Sequence, residues 1–255
     1  MLSYQHAYHA GCRADMHKHA ALCVLLSCLI QKDKPLTYME THAGRGLYDL
    51  CSAEAEKTGE AKAGILTLES TIPADHPYAR MLQTHHTAYG ATSYPGSPFI
   101  AKQVLRAFDV MHLMELHPQE YKALKQAMRG SHIHKRDGYE GVLSLSPPHP
   151  RRGVVLIDPS YEVKSEYQKA ADFIIMLHRK WPEAVIMLWY PLLPTANHRD
   201  MLGTLLKADL PKCWHQEITW APQTPKAMQG SGLIIINTPH NAVATLDINI
   251  LLDTN

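Results

Sequence analysis

The alternation of apolar and polar positions changes period along the chain, and each change marks an element. Asp15 to Ile30 reads as a helix, apolar from Ala20 onward and therefore buried. Pro35 closes the connection, and Leu36 to Glu40 reads as a short strand running into Thr41-His42-Ala43-Gly44-Arg45-Gly46. A strand, a glycine-bearing turn and then a helix open a βαβ unit. Residues 51 to 95 break the pattern: they are polar, with helical patches around Glu54–Leu68 and Tyr78–Tyr89, and they end in the turn signal Tyr94-Pro95-Gly96-Ser97-Pro98. We take 47–95 as a small helical insertion into a main domain formed by 1–46 and 96–255.

Beyond the turn signal the alternation resumes. Helices are expected over Phe99–Ala107, Pro118–Arg129, Tyr167–Lys180 and Asn197–Ala208. Strands are expected over Val110–Glu115, Ser131–Lys135, Val154–Ile157, Ala184–Trp189, Lys212–Thr219 and Leu233–Asn237. Val154–Ile157 has no polar alternation, as a central parallel strand covered on both faces requires. Alternating β and α elements predict an α/β fold with a doubly wound, mostly parallel sheet of seven strands.

Composition narrows the classes. A chain of 255 residues fits one large domain, or one domain with an insertion. Its formal net charge is +1, so any contact with nucleic acid must come from a local patch and not from a global field. The five cysteines are odd in number and contain no C-x-x-C pair, which predicts a reduced, cytoplasmic setting. The apolar run Ala20–Ile30 is too short to span a bilayer and has no small-residue cleavage site after it, so no membrane association is expected. Among the 17 histidines, His6, His9, His17 and His19 could form a zinc cluster, but no cysteine pair or H-E-x-x-H supports one, and no metal is expected.

In open α/β sheets, ligands bind beyond the carboxyl ends of the strands. The residues there are Glu40-Thr41-His42, Glu115, Asp137-Gly138 and Asp158. Glu115 can accept both ribose hydroxyls of a nucleoside, and it is equally a helix-terminal acid before Pro118. Asp137 can accept from an adenine amino group, and Asp137-Gly138 is equally a tight turn. Together the two acids would hold an adenosine without a phosphate-binding loop, a pattern that suits S-adenosylmethionine better than NAD or ATP. The sharpest signal is Asp158-Pro159-Ser160-Tyr161 at the end of a buried strand. Adenine N6 is a poor nucleophile because its lone pair is delocalised into the ring. A carboxylate (Asp158) and a pre-aimed carbonyl (Pro159) that accept its two hydrogens would localise the lone pair, and Tyr161 would stack on the flipped base. Taken alone, the tetrapeptide is also an ordinary strand-to-loop turn with an aromatic plug.

The tetrapeptide resembles motif IV of amino-methyltransferases, usually Asp/Asn-Pro-Pro followed by an aromatic. With Met1-Leu2-Ser3-Tyr4, His6, His9-Ala10-Gly11, Ala14-Asp15, Lys18-His19, Thr41-His42-Ala43-Gly44, Tyr94-Pro95-Gly96-Ser97-Pro98, Glu115-Leu116-His117-Pro118 and Asp137-Gly138, the chain is similar to the bacterial RlmJ family from Met1 to Asn237. The resemblance implies a class I, Rossmann-like, S-adenosylmethionine-dependent methyltransferase acting on adenine N6 in 23S ribosomal RNA, as a cytoplasmic monomer. It implies cofactor contacts at His19, His42, Ser97, Glu115, Asp137, Gly138 and Asp158, and catalysis by Asp158, Pro159 and Tyr161. Tyr4, Lys18 and Tyr161 would meet the substrate, and the insertion would help hold RNA. Apart from the resemblance, Arg13, Lys18 and Arg45 flank the glycine turn and could form a phosphate-facing patch, although each alone is equally an ordinary surface charge. Alternatives are a DNA adenine N6-methyltransferase and a non-catalytic nucleic-acid-binding protein of external-DNA utilisation. Ser160 stands where the family has its second proline, and the chain ends at Asn255, which implies fewer contacts from a tail.

Overall fold

The computed structural model describes residues 4–222, 224–225 and 227–247. Met1 to Ser3 of the amino-terminal motif lie outside the described residues. The chain opens with α1 (Arg13–Ile30) and β1 (Thr37–Glu40). The segment expected to be an insertion runs from β2 (Leu47–Asp49) through α2 (Ala53–Thr58), α3 (Glu60–Ala63), α4 (Ile65–Leu68) and α5 (Pro77–Tyr89) to β3 (Ser93–Pro95). Then come α6 (Ser97–Val104), β4 (Val110–Met114), α7 (Pro118–Ala127), β5 (His132–His134), α8 (Gly138–Leu145) and β6 (Gly153–Ile157). The chain continues through α9 (Ser165–Lys180), β7 (Val185–Leu192), α10 (His198–Lys207), β8 (Trp214–Thr219), β9 (Gly230–Ile236) and α11 (Val243–Leu246).

Seven strands form one sheet in the order β5-β4-β1-β6-β7-β9-β8. All its pairings are parallel except those of β9, which lies antiparallel between β7 and β8. The strand order reverses at β1, whose neighbours β4 and β6 lead to opposite edges, so the carboxyl ends of β1 and β6 border the crevice where such sheets take ligands. Strand β6 shows why its sequence is uniformly apolar. Val154 and Leu156 join the core beneath α1, while Val155 and Ile157 join the opposite core with Phe173, Ile174 and Leu177 of α9.

Three features depart from the expected layout. Helix α8 follows Asp137, whose side chain caps it by accepting from the Glu140 amide at 3.0 Å. Strand β7 runs on through Pro191 to Leu192, because beyond Leu188 it has left β6 behind and pairs only with β9. A proline is tolerated where one side of a strand is unpaired. The insertion's first helical stretch is broken at Gly59 and Gly64. At Gly64 a Cβ would lie 2.2 Å from the Gly11 carbonyl, and the Ile65 amide donates to that carbonyl at 2.9 Å. The antiparallel pair β2–β3 closes the insertion, and Ile65, Leu68, Ile72, Tyr78 and Leu82 share one continuous core with α1. Among the described residues, no helix is long and apolar enough to cross a membrane.

At the β4–β5 edge, His112 stacks on His132 with ring centroids 4.8 Å apart and lies 3.2 Å from His134. Burial, helped by the two neighbouring imidazoles, pushes His112 down to about 4. The folded form therefore holds this ring neutral where the unfolded chain, near 6.5, begins to take up a proton. Stability should fall as pH drops from about 6.5 towards 4. Urea midpoints should show this slope, to which the buried His19 and His42 also contribute, and His112→Gln should make it shallower by one group's share; an unchanged slope would remove His112 as one of its sources.

Candidate active site

A cavity of about 520 Å³ opens at the carboxyl ends of β1, β4, β5 and β6. The strand-end acids reach it from different loops. Glu115 follows β4 and accepts from the amides of Gly44 (2.8 Å) and His117 (2.7 Å), and burial pushes its pKa up. Gly44 has φ +61°, which turns its amide toward this carboxylate after β1. Asp137 follows β5, with one carboxylate oxygen used as the cap of α8. Gly138 is packed so tightly on the β1 loop that a Cβ would lie 1.9 Å from the Thr41 carbonyl. Only glycine lets these two loops meet, and the result is a cavity wall made of backbone with an acid on either side.

Asp158 follows β6, and its Oδ2 accepts from Lys18 Nζ at 2.6 Å. Lys18 and Asp15 lie one turn apart on α1 and are paired at 2.9 Å. Burial opposes the Lys18 charge, but the carboxylates of Asp15 and Asp158 outweigh it and raise its pKa above the ordinary range. Asp15 is in turn bonded to His6 Nε2 (2.8 Å) and to the Gly11 amide (2.9 Å). His6 Nδ1 lies 2.8 Å from the Tyr4 hydroxyl. A connected polar chain thus runs from Tyr4 at the cavity mouth through His6, Asp15 and Lys18 to Asp158. Tyr4 stacks on His9, rings 3° from parallel, and His9 is bonded to Glu60 of the insertion at 2.9 Å. His6 and His9, grouped by the sequence in a conceivable zinc cluster, are committed to these carboxylates, and His17 bonds Ser231 and Gln216.

Tyr161 has φ +55°, a left-handed conformation that non-glycine residues rarely hold and that clusters at functional loops. Its hydroxyl donates to the Trp189 carbonyl at 2.8 Å, and its ring packs 4.4 Å from Tyr167. The Ser160 amide makes no hydrogen bond to the backbone of a described residue. Ser160→Pro therefore forfeits no bond and stiffens the loop, and the turnover rate should be unchanged or mildly raised. A loss greater than about tenfold would mean that proline does not fit ahead of Tyr161.

All the site residues expected from the sequence, Tyr4, Lys18, His19, His42, Ser97, Glu115, Asp137, Gly138, Asp158, Pro159 and Tyr161, line this one cavity. Two of them do so with unexpected partners. The Ser97 hydroxyl donates to the fully buried Glu40 carboxyl, which also accepts from Tyr38 at 2.9 Å. Burial raises Glu40 to about 8, so at neutral pH it is largely protonated. Lys18 is buried between two carboxylates and Arg45 is bonded to Glu120, so the expected phosphate-facing patch of Arg13, Lys18 and Arg45 is not assembled as such. His19 (Nδ1 2.9 Å from the Tyr94 hydroxyl) and His42 (Nδ1 2.8 Å from the Thr41 hydroxyl) are pushed by burial down to about 3 and about 4, so both are neutral. Sequence reasoning missed Asp15 as the partner of Lys18, although their i,i+3 spacing was the available signal. Trp189, read from the sequence as the end of a strand, also lines the cavity, with Lys18 Nζ 5.7 Å from its ring centre.

A seven-stranded sheet with a single reversed strand and acids at the ends of β4, β5 and β6 is the framework of a class I S-adenosylmethionine-dependent methyltransferase. Residues 33–251 match the family described as RsmJ, "Ribosomal RNA large subunit methyltransferase D, RlmJ", and the chain belongs to that family. Two proteins named "Ribosomal RNA large subunit methyltransferase J" are similar to it. The one from Escherichia coli is 35% identical over 246 residues, covering 94% of this chain and 88% of that protein. The one from Haemophilus influenzae is 35% identical over 249 residues, with coverage of 94% and 88%. A crystal structure of a Legionella pneumophila protein superposes with TM-score 0.84 at 33% identity, over 93% of this chain and 90% of that one.

The residues present fit the cofactor of this class. Acids at two strand ends and a glycine-only wall suit an adenosine without phosphates, and Arg45, the cation of the glycine turn, is engaged by Glu120. Glu115 and Asp137 would hold its ribose and adenine. When bound, S-adenosylmethionine supplies an electrophilic methyl group on its sulfonium.

Proposed function

We propose that this chain methylates N6 of an adenine in 23S ribosomal RNA, working as a monomer in the cytoplasm, with Asp158, Pro159 and Tyr161 at the reacting centre. The observation that supports this most is the state of the Asp158 carboxylate. Its Oδ2 is tied to Lys18, and its Oδ1 accepts no hydrogen bond from a described residue although Asp158 lines the cavity. In this reading Oδ1 accepts one N6 hydrogen and the Pro159 carbonyl accepts the other. The nitrogen becomes pyramidal and its lone pair is freed for in-line attack on the methyl group. Tyr161, tethered through its hydroxyl, offers its ring to a base that has left its stack. His19, His42, Ser97 and Gly138 are carried as cofactor contacts, and Tyr4 and Lys18 as substrate-side residues, by likeness to the family. The insertion, 47–95, is a subdomain docked on the main domain, 1–46 and 96–255.

The test is transfer of labelled methyl groups to protein-free 23S ribosomal RNA and to duplex DNA, followed by digestion to nucleosides. N6-methyladenosine in the RNA digest is expected. Label in DNA alone would move the substrate to the DNA alternative, and cofactor binding without any transfer would favour the non-catalytic one.

A further inference from the structure

Two segments of this chain differ in their balance of charge. The insertion, which the family resemblance would assign to holding RNA, carries six Asp and Glu residues against three Lys and Arg. Residues 118–136 carry Lys122, Lys125, Arg129, Lys135 and Arg136 against a single acid, Glu120. That acid is buried and occupied by Arg45 through bonds of 2.7 and 3.0 Å. The five cations are exposed, and none is ion-paired with a carboxylate among the described residues. Lys122, Lys125 and Arg129 follow helical spacing along α7 and just past its end. Lys125 and Lys135 both lie on the Tyr121 ring, 5.7 and 5.9 Å from its centre. Lys102 reaches the Ala127 and Arg129 carbonyls at 3.3 Å and adds a further positive charge at that end. Like charges set this close repel one another in the isolated protein, and a polyanion relieves the repulsion. The face is continuous with the site: Leu116, His117 and Glu120 at the start of α7, and Asp137 just after β5, line the cavity.

We propose that the α7–β5 edge, and not the insertion, is the surface on which the sugar-phosphate backbone of the RNA lies while its target base occupies the cavity. The inference rests on the RNA-substrate reading above and adds a location to it. With a net charge of +1 the protein has no global field to hold a polyanion, and this is the segment where uncompensated cations are concentrated beside the site.

The test uses the full chain and an in vitro transcript of 23S ribosomal RNA, with affinity measured across a range of KCl concentrations. Lys122→Ala/Lys125→Ala/Lys135→Ala should weaken RNA binding by about tenfold or more near physiological salt. It should also reduce the slope of log affinity against log salt by about two to three. Its rate at saturating RNA and its affinity for S-adenosylmethionine should stay at the wild-type values. Wild-type RNA affinity and slope in this variant would overturn the proposal. So would an equal loss in Lys57→Ala/Lys62→Ala/Arg80→Ala of the insertion. If the wild-type protein transferred no methyl group to the transcript, the substrate reading would fail, and the binding comparison would still decide the location.

Discussion

Asp158→Ala should lose methyl transfer by at least about a thousandfold, while the variant unfolds within a few degrees of the wild-type temperature. The rate loss follows from removing the group proposed to accept an N6 hydrogen, an interaction that strengthens as the nitrogen becomes pyramidal. The structural tolerance follows from the ion-pair arrangement. Lys18 is shared between two carboxylates, so without Asp158 it keeps Asp15 at 2.9 Å and no charge is stranded in the interior. Asp158 is one of seven expected cofactor contacts and the others, Glu115 and Asp137 among them, are untouched, so affinity for S-adenosylmethionine, measured by calorimetry, should change by less than about tenfold. Single-turnover transfer with saturating RNA reads the chemical step directly. A variant that keeps more than about a tenth of the wild-type rate would refute the assignment of Asp158 to the reacting centre.

How much of this was legible in the sequence depended on whether the signal was local. Strand β6 announced itself because a strand covered on both faces must be apolar at every position, and Val154 to Ile157 are. The strand-end acids were legible because a doubly wound sheet turns chain position into spatial position: the end of any parallel strand lies on one rim. Helix α8 was not read, because the glycine that starts it looks like a turn until Asp137 is seen to cap it. The pairing of Ser97 with Glu40 was also hidden. The two lie 57 residues apart, and a hydroxyl's choice between a ligand and a buried carboxyl is made by packing across the insertion. The amino-terminal histidines show the same limit. Their spacing allowed a metal cluster that the rest of the sequence did not support, and only the docking of α1 and segment 47–95 reveals that Asp15 and Glu60 are the partners of His6 and His9.

The ion pair that makes Asp158 dispensable for folding makes Lys18 indispensable. Lys18→Met leaves Asp15, 1% exposed, and Asp158 near one another with no cation between them. Asp15 keeps His6 and the Gly11 amide, so the cost should fall below the roughly 3–5 kcal/mol of a buried charge left with no partner at all. The pH dependence identifies the mechanism. In the wild type burial would raise the Asp15 carboxyl, but His6 and Lys18 beside it hold it well below the usual carboxylate range. A carboxylate depressed in this way contributes stability that is present above its unfolded pKa and lost only as pH falls through the acid range. Without Lys18 the burial effect gains weight, the folded variant takes up a proton more readily than the wild type, and its deficit should be largest near pH 8 and smaller near pH 5. Urea unfolding at the two pH values measures this. Transfer should fall by about a hundredfold or more at either pH, because Asp158 loses the contact that fixes its orientation. Adding Asp15→Asn removes one of the two stranded charges, so the double variant should recover much of the stability and none of the rate. Recovery of the rate in the double variant, or a stability deficit that does not change with pH, would show that Lys18 acts by something other than pairing these two carboxylates.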